Sequence, residues 1–111
     1  MGITKTALFI PEQNELADMA KALAHPARIA IVQHLLEASQ CINSDLVQGL
    51  GLAQATISQH LRELKDAGII QGTVEGTKMC YCINEERWSQ LSETFNALFA
   101  LYTNPDSSNC C

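Results

Sequence analysis

The sequence predicts a mostly helical α+β fold in which four amphipathic helices precede a β-hairpin and one further helix follows it. Apolar residues recur at three- and four-residue spacing in five separate segments, which is the period of an amphipathic helix. Between residues 69 and 84 the spacing changes to the two-residue period of strands, with Glu75-Gly76 as a turn. A chain of 111 residues is long enough for one domain with a modest core.

The first two predicted helices begin at prolines, which favour the first position of a helix. Pro11 opens a helix that continues to Ala24. Its apolar stripe is predicted at Leu16, Met19, Ala20 and Leu23. Pro26 opens the second helix, and His25 is placed to cap it. The apolar stripe of this second helix is predicted at Ile29, Val32, Leu35 and Leu36.

The third and fourth helices are short and are separated by a tight glycine-containing turn. Asn43 or Ser44 can cap the third helix, which ends near Gly49. The fourth helix carries an apolar stripe at Ile57, Leu61 and Leu64. Gly68 is predicted to end it in the left-handed conformation. Two short helices joined in this way are typical of a helix-turn-helix.

The hairpin and the last helix complete the predicted fold. On the second strand of the hairpin, alternate residues share a face, so Met79, Tyr81 and Ile83 lie opposite Lys78, Cys80 and Cys82. Asn84 is placed to cap the last helix, with two glutamates favourably placed in its first turn. Residues 1–104 are predicted to form the domain, and residues 105–111 a flexible tail that contains cysteines.

A helix-turn-helix followed by a β-hairpin is a winged helix-turn-helix, and three segments make the resemblance more specific. In order, "LAHPARIAIVQHL", "ATISQHLRELKDAGII" and "EGTKMCYCIN" resemble the ArsR/SmtB family of small bacterial repressors, over roughly residues 15 to 100. The resemblance implies a homodimer whose first and last helices form the twofold interface. It also implies a transcriptional repressor that binds double-stranded operator DNA.

The outward face of the fourth helix is predicted to contact DNA, because the second helix of a helix-turn-helix enters the major groove. Glutamine pairs with adenine, arginine with guanine or phosphate, and alanine with the thymine methyl group. The predicted contacts are Gln54, Ala55, Thr56, Ser58, Gln59, Arg62 and Lys65, with Lys78 on the wing. His60 is interpreted as a packing or hydrogen-bonding residue. Residues 51–80 carry no net charge, so a shallow salt dependence is expected.

Surplus apolar surface on the last helix favours a dimer. This helix carries more large apolar side chains than one face can bury in its own small domain. The predicted interface residues are Leu16, Met19, Phe95, Leu98, Phe99 and Tyr102. The alternative, in which the helix simply fills the core of its own subunit, stays open at this point.

The five cysteines suggest a thiol-based effector site rather than a secreted disulfide framework. The zinc site that the family places on its last helix needs histidines, and residues 85–105 contain none. The family's thiolate site is also incomplete, since Ser44 stands where a second cysteine is expected. Cys41 with the tail pair Cys110 and Cys111 supplies three thiolates, which suit As(III), Sb(III) or another thiophilic metal. The alternative is a tail without a sensing role.

Composition excludes several other classes of protein. No apolar run approaches the length of a membrane span, and the N-terminus is too weakly apolar for a secretory signal, so a cytoplasmic location without membrane contact is expected. A net charge of −5 argues against nonspecific coating of nucleic acid. The chain lacks a glycine-rich phosphate loop, so an enzyme is not expected. Two alternatives remain: a winged-helix module that binds protein instead of DNA, and a repressor without a small-molecule effector.

Overall fold

The computed structural model describes residues 6–38, 42–43, 51–75 and 78–103. After a single 3-10 turn at Thr6–Leu8, the elements in chain order are α1 (Pro11–Leu23), α2 (Pro26–Ala38), β1 (Ile42–Asn43), α3 (Gln54–Asp66), β2 (Ile70–Glu75), β3 (Lys78–Ile83) and α4 (Glu85–Phe99). The body of the predicted third helix and the predicted tail lie outside these residues. No helix in the described ranges combines the length and the apolar character needed to cross a membrane.

The structure confirms the predicted starts of α1, α2 and α4 and the predicted end of α3, while α1 ends at Leu23, one residue before the predicted Ala24. Pro11 and Pro26 are the first residues of α1 and α2. The Nδ1 atom of His25 accepts a hydrogen bond from the Ala27 amide at 3.0 Å, and so caps α2. Asn84 caps α4 in the same way, since its Oδ1 atom accepts from the Arg87 amide at 3.2 Å. Gly68 follows α3 with φ of +81°, the left-handed conformation that the sequence predicted.

The sheet has three antiparallel strands in the order β1-β3-β2. The predicted hairpin is confirmed, although β2 continues through Glu75, which pairs with Lys78. The short strand β1 was not predicted. In it Asn43, proposed as a possible helix cap, pairs with Cys80 across the sheet. A two-residue strand has no period for a sequence pattern to reveal.

The core lies where α1, α2, α3, α4 and the sheet meet. The predicted stripe of α3 is confirmed, because Ile57, Leu61 and Leu64 are all buried. The stripe predicted for α2 was partly wrong: Ile31 is buried with Val32 and Leu35, whereas Ile29 and Leu36 are 41% and 44% exposed. On α1, likewise, Met19 and Ala22 are buried and Ala20 is exposed.

Both faces of β3 are partly covered. Tyr81 and Ile83 pack against the core from one face, as the strand period predicted. On the other face Cys80 is a buried thiol, and Cys82 is half-buried with its Sγ atom 3.9 Å from the Gln71 Nε2 atom. Cys80 therefore behaves as a small packing residue.

Candidate nucleic-acid interface

The helix α3 buries one face and exposes the other. Its buried face consists of Ile57, His60, Leu61 and Leu64. The seven residues of α3 that the sequence predicted as DNA contacts are all exposed: Gln54, Ala55, Thr56, Ser58, Gln59, Arg62 and Lys65. Because the buried stripe fixes the rotation of the helix about its axis, the same seven residues point away from the core together.

Four of these residues follow one line along the helix surface. Gln54, Ser58, Arg62 and Lys65 lie at spacings of four, four and three residues, which places them on one side of a helix. We call these four residues the basic-amide strip. At its start the Gln54 Nε2 atom donates to the Ser58 Oγ atom at 3.3 Å. The strip offers amide, hydroxyl and cationic groups, which are the groups that contact bases and phosphates.

The acidic residues of α3 face a different neighbour. The Glu63 carboxylate lies 3.5 Å from the Arg28 guanidinium of α2, and Glu63 and Asp66 both line a cleft with the end of α1. Arg62 and Lys65 do not line that cleft. The zero net charge of residues 51–80 therefore understates the positive character of the basic-amide strip, because Arg28 neutralises one of the acidic groups from outside that segment.

Arg28 anchors α3 to the rest of the domain. Its Nε atom donates to the His60 Nδ1 atom at 3.1 Å, and its Nη1 atom donates to the carbonyl oxygen of Ala22 at 3.1 Å. With its ion pair to Glu63, this one side chain joins the end of α1, the start of α2 and the middle of α3. The sequence did not single out Arg28, since no pattern links it to a histidine 32 residues away.

His60 has the structural role that the sequence predicted. Only 7% of its surface is exposed, and its ring lies 4.4 Å from that of His25 between centroids. The pKa of His60 is lowered below its ordinary value of 6.5, first by burial and then by the neighbouring charges of His25 and Arg28; Glu63 opposes them. Its neutral form is therefore the one that fits the folded protein.

The hairpin β2–β3 follows directly after α3, in the position of a wing. Only Gly68 and Ile69 separate the α3 cap residue Ala67 from β2, and the hairpin runs to the pair Glu75–Lys78. The backbone of Lys78 belongs to β3. Its predicted contact with DNA stays a prediction.

Large apolar side chains are exposed near both ends of the described residues. The end of α4 and the residues after it expose Leu98, Phe99, Leu101 and Tyr102, of which Phe99 and Tyr102 are 67% and 75% exposed. The first described residues add Leu8, Phe9 and Ile10. The sequence had not singled out these three, because they form only a short apolar patch. The exposure of Leu98, Phe99 and Tyr102 is what a dimer interface requires.

The other predicted interface residues lie deeper in the subunit. Leu16 and Phe95 are half-buried, and Met19 is 5% exposed within the core of its own subunit. Glu15 and Arg87, at 3.5 Å, join α1 to α4 beside them. The assignment of all six residues to an interface stays a prediction.

The predicted thiolate site lies outside the described residues. Cys41, Cys110 and Cys111 all fall in the gaps between the described ranges or beyond them. Within those ranges, no three or more histidine, cysteine or acidic residues are grouped to hold a metal ion. The effector prediction therefore depends on the sequence alone.

An exposed polar helix that packs into the core on its other side and is followed at once by an antiparallel hairpin is the arrangement of the recognition helix and wing in a winged helix-turn-helix protein. A family model of bacterial regulatory proteins, the arsR family, matches residues 25–71, which include α2, α3 and the start of β2. The chain belongs to this family. Its members are regulators rather than enzymes.

Relatives agree with this assignment. The chain is 41% identical over 75 residues to the HTH-type transcriptional repressor SmtB of Mycobacterium tuberculosis, covering 64% of this chain and 55% of that protein. The aligned segment thus spans about half of that relative. The chain is also 33% identical over 89 residues to the biofilm growth-associated repressor of Xylella fastidiosa, and this alignment covers 80% of this chain and 75% of that protein.

A solved structure supports the same fold. It is the homodimeric winged helix-turn-helix DNA-binding domain of a possible ArsR-family regulator from Mycobacterium bovis. The TM-score is 0.64 with 24% identity, over 89% of each chain. At this identity the likeness shows the fold alone.

Proposed function

We propose that this chain is a dimeric, sequence-specific DNA-binding repressor of transcription that acts in the cytoplasm. The basic-amide strip on α3 is the observation that carries the proposal. Its side chains are all exposed, while the face of the helix that carries Ile57, Leu61 and Leu64 is fixed in the core. Two relatives with substantial identity are named as repressors, which supports the direction of regulation.

In this proposal α3 is the recognition helix that lies in the major groove. Gln54 and Gln59 are near its N-terminal end, where side chains of a recognition helix meet base edges. Arg62 and Lys65 lie further along, where the helix leaves the groove and phosphates become the closer partners. Ala53 precedes α3 as its cap residue and makes no side-chain hydrogen bond to the helix.

The dimer places two recognition helices on one operator. The exposed apolar side chains before α1 and at the end of α4 would be covered by the same surfaces of a second subunit. A twofold axis would then set the two α3 helices about one turn of DNA apart, over a palindromic site. Each phosphate contact would be made twice, which offsets the small number of cationic residues.

Fluorescence anisotropy on labelled DNA from upstream of the protein's own gene tests the proposal. We expect saturable binding at physiological salt that an excess of unlabelled nonspecific DNA does not abolish. An Arg62→Ala and Gln59→Ala double variant, both on the exposed face, should bind much more weakly. Absence of binding by the wild-type protein even at low salt would contradict the proposal and favour a winged-helix module that binds protein.

We also propose that a thiophilic species releases the repressor from DNA. Cys41, Cys110 and Cys111 would act as three ligands to As(III) or Sb(III). With arsenite, three thiols replace the three hydroxyl groups of As(OH)3, so that three As–S bonds form and three waters leave. Thiol oxidation is the second possible signal, and a repressor without an effector is the alternative.

Arsenite added to the protein–DNA complex tests the effector. We expect release by the wild-type protein, and retained binding by a Cys110→Ser and Cys111→Ser double variant with unchanged DNA affinity. Cys82→Ser is the matched control, because Cys82 is a half-buried thiol on the wing, and it should respond like the wild type. Release of the double variant by arsenite would remove the tail cysteines from the effector site.

A further inference from the structure

A cluster of four ionisable side chains lies at the junction of α2 and α3. It consists of His25, Arg28, His60 and Glu63, and Arg28 is its centre. The Arg28 Nε atom donates to the His60 Nδ1 atom at 3.1 Å, and the Glu63 carboxylate lies 3.5 Å from the Arg28 Nη2 atom. The His25 ring, which caps α2 through its own Nδ1 atom, lies 4.4 Å from the His60 ring.

The protonation state of His60 decides whether this cluster holds together. A guanidinium group has only donors, so the His60 Nδ1 atom must be unprotonated to accept from Arg28. A protonated imidazole would turn a donor toward the Arg28 donor and would add a positive charge beside Arg28. The hydrogen bond between α2 and α3 would then be replaced by repulsion.

The surrounding charges do not remove this conflict. On α3, Glu63 is the acidic member of the cluster, and it already pairs with Arg28. Asp66 of α3 and Asp18 of α1 line the adjoining open cleft of about 480 Å³, together with the cationic Lys21 of α1. His25 and Arg28 line the same cleft, which gives protons from solvent a route to the edge of the cluster.

We propose that the Arg28–His60 contact is a pH-sensitive link that holds the recognition helix α3 in place at neutral pH and releases it, with loss of DNA affinity, when His60 is protonated. This proposal rests on the proposed function, since the readout of the link is DNA binding. The ligand of the switch is the proton.

The direction and the pH range follow from the environment of His60. Burial, His25 and Arg28 lower its pKa below 6.5, in that order, against the opposing effect of Glu63. A histidine whose pKa is depressed by folding binds fewer protons when folded than when unfolded. Its contribution to stability is therefore fully present above pH 6.5 and is lost as the pH falls through the folded pKa.

The first test uses the protein without DNA. NMR of the Arg28 Nε–H group and hydrogen exchange of the α3 amides are followed from pH 7.5 downward until His60 has titrated. We expect the Arg28 signal to change with the titration of His60, and the α3 amides to lose more protection than those of α4. An unchanged Arg28 signal and unchanged relative protection of α3 as His60 titrates would overturn the link.

The second test measures affinity for DNA from upstream of the protein's own gene over the same pH range. If only the neutral form of His60 binds, affinity should fall about tenfold per pH unit and per subunit below its folded pKa. His60→Asn keeps an acceptor near the position of Nδ1 but does not titrate. The DNA affinity of this variant should therefore change less than about twofold across the pH range. His34→Asn, on α2 outside the cluster, is the matched control and should retain the wild-type pH response.

A second variant keeps the proposal testable should His60→Asn fail to fold. His25→Asn preserves a helix-capping side chain and removes the imidazole that lowers the pKa of His60, so release should move to higher pH. The same pH dependence in the wild-type protein, His60→Asn and His25→Asn would overturn the proposal. Failure to bind DNA at any pH would instead contradict the proposed function, and the NMR test would still decide whether the link responds to protons.

Discussion

Gln54 and Gln59 are the exposed residues of α3 that are best suited to read a base. A glutamine amide can donate and accept at once, and so pairs bidentately with adenine in the major groove. Replacing either glutamine with alanine should weaken binding to the operator by about 1–3 kcal/mol, provided that the side chain makes such a pair. Nonspecific binding should change little, since neither side chain is charged. Anisotropy on specific and scrambled DNA measures both effects.

The matched control for these two substitutions is Gln33→Ala. Gln33 is also an exposed glutamine on a helix, but it belongs to α2 and lies away from the basic-amide strip. It should bind operator and scrambled DNA like the wild type. Unchanged operator affinity in both Gln54→Ala and Gln59→Ala would remove these residues from base recognition.

The sequence predicted which residues of α3 are exposed, but not which side chain holds α3 against the rest of the domain. Ile57, Leu61 and Leu64 lie at helical spacing, so the buried side and hence the outward residues follow from local pattern alone. The Arg28–His60 hydrogen bond joins residues far apart in the chain, and only the packing of α2 against α3 brings them together. Local periodicity contains no information on such a contact.

Among the elements, the junction between α3 and β2 depends on the backbone of Gly68. Its φ of +81° costs a residue with a side chain about 1–2 kcal/mol. An added Cβ atom would lie 3.6 Å from the Arg87 side chain, which is an ordinary contact, so the cost comes from the backbone. Gly68→Ala should therefore lower the free energy of unfolding by about 1–2 kcal/mol. Urea unfolding of both proteins at a fixed protein concentration measures this difference in the free energy of unfolding.

Gly68→Asn distinguishes backbone strain from loss of space in this experiment. Asparagine is larger than alanine but adopts the left-handed conformation more readily. It should be less destabilising than Gly68→Ala if strain dominates. A larger loss of stability for asparagine than for alanine would show instead that the contact with Arg87 sets the cost.

The helix α2 shows where sequence periodicity fails for a whole element. Its sequence "PARIAIVQHLLEA" has apolar residues on most sides, so several stripes fit equally well. The actual buried face, with Ile31 rather than Ile29, is chosen by contacts with α1, α3 and β3. By contrast, α3 alternates sharply between apolar and polar positions, and only one face can be buried.

For the whole molecule, the exposed apolar end of α4 predicts that two subunits associate through this helix. A charge at Phe99, which is 67% exposed at the end of α4, should be tolerated by the fold but not by an apolar interface. Phe99→Glu should shift the protein from dimer to monomer in sedimentation velocity and lower operator affinity with it. Leu36→Glu is the matched control, because Leu36 is an exposed apolar residue on α2. Equal dissociation by both variants, or by neither, would contradict an interface specific to α4.

The salt dependence of DNA binding measures how many phosphate contacts the protein makes. It therefore shows whether one α3 helix or two bind the same DNA. Lys65 lies at the far end of the basic-amide strip, where a phosphate is the expected partner. Each phosphate contact contributes about 0.9 to the slope of log affinity against log salt. Lys65→Gln should therefore reduce the magnitude of that slope by about 1.8 in a dimer, which loses the contact twice, and by about 0.9 in a monomer.

The control for this measurement has the same change in net charge at a site that faces away from DNA in the proposal. Lys21 is an exposed lysine of α1 that lines the cleft with Glu63 and Asp66, so Lys21→Gln should leave the slope near its wild-type value. If both variants reduce the slope equally, the effect comes from the overall field of the protein and not from a contact at Lys65. A reduction of about 0.9 for Lys65→Gln alone would mean that one α3 helix, not two, holds the DNA. If Lys65→Gln reduces the slope by about 1.8, and no longer does so when Phe99→Glu is also present, then the two Lys65 contacts depend on the dimer.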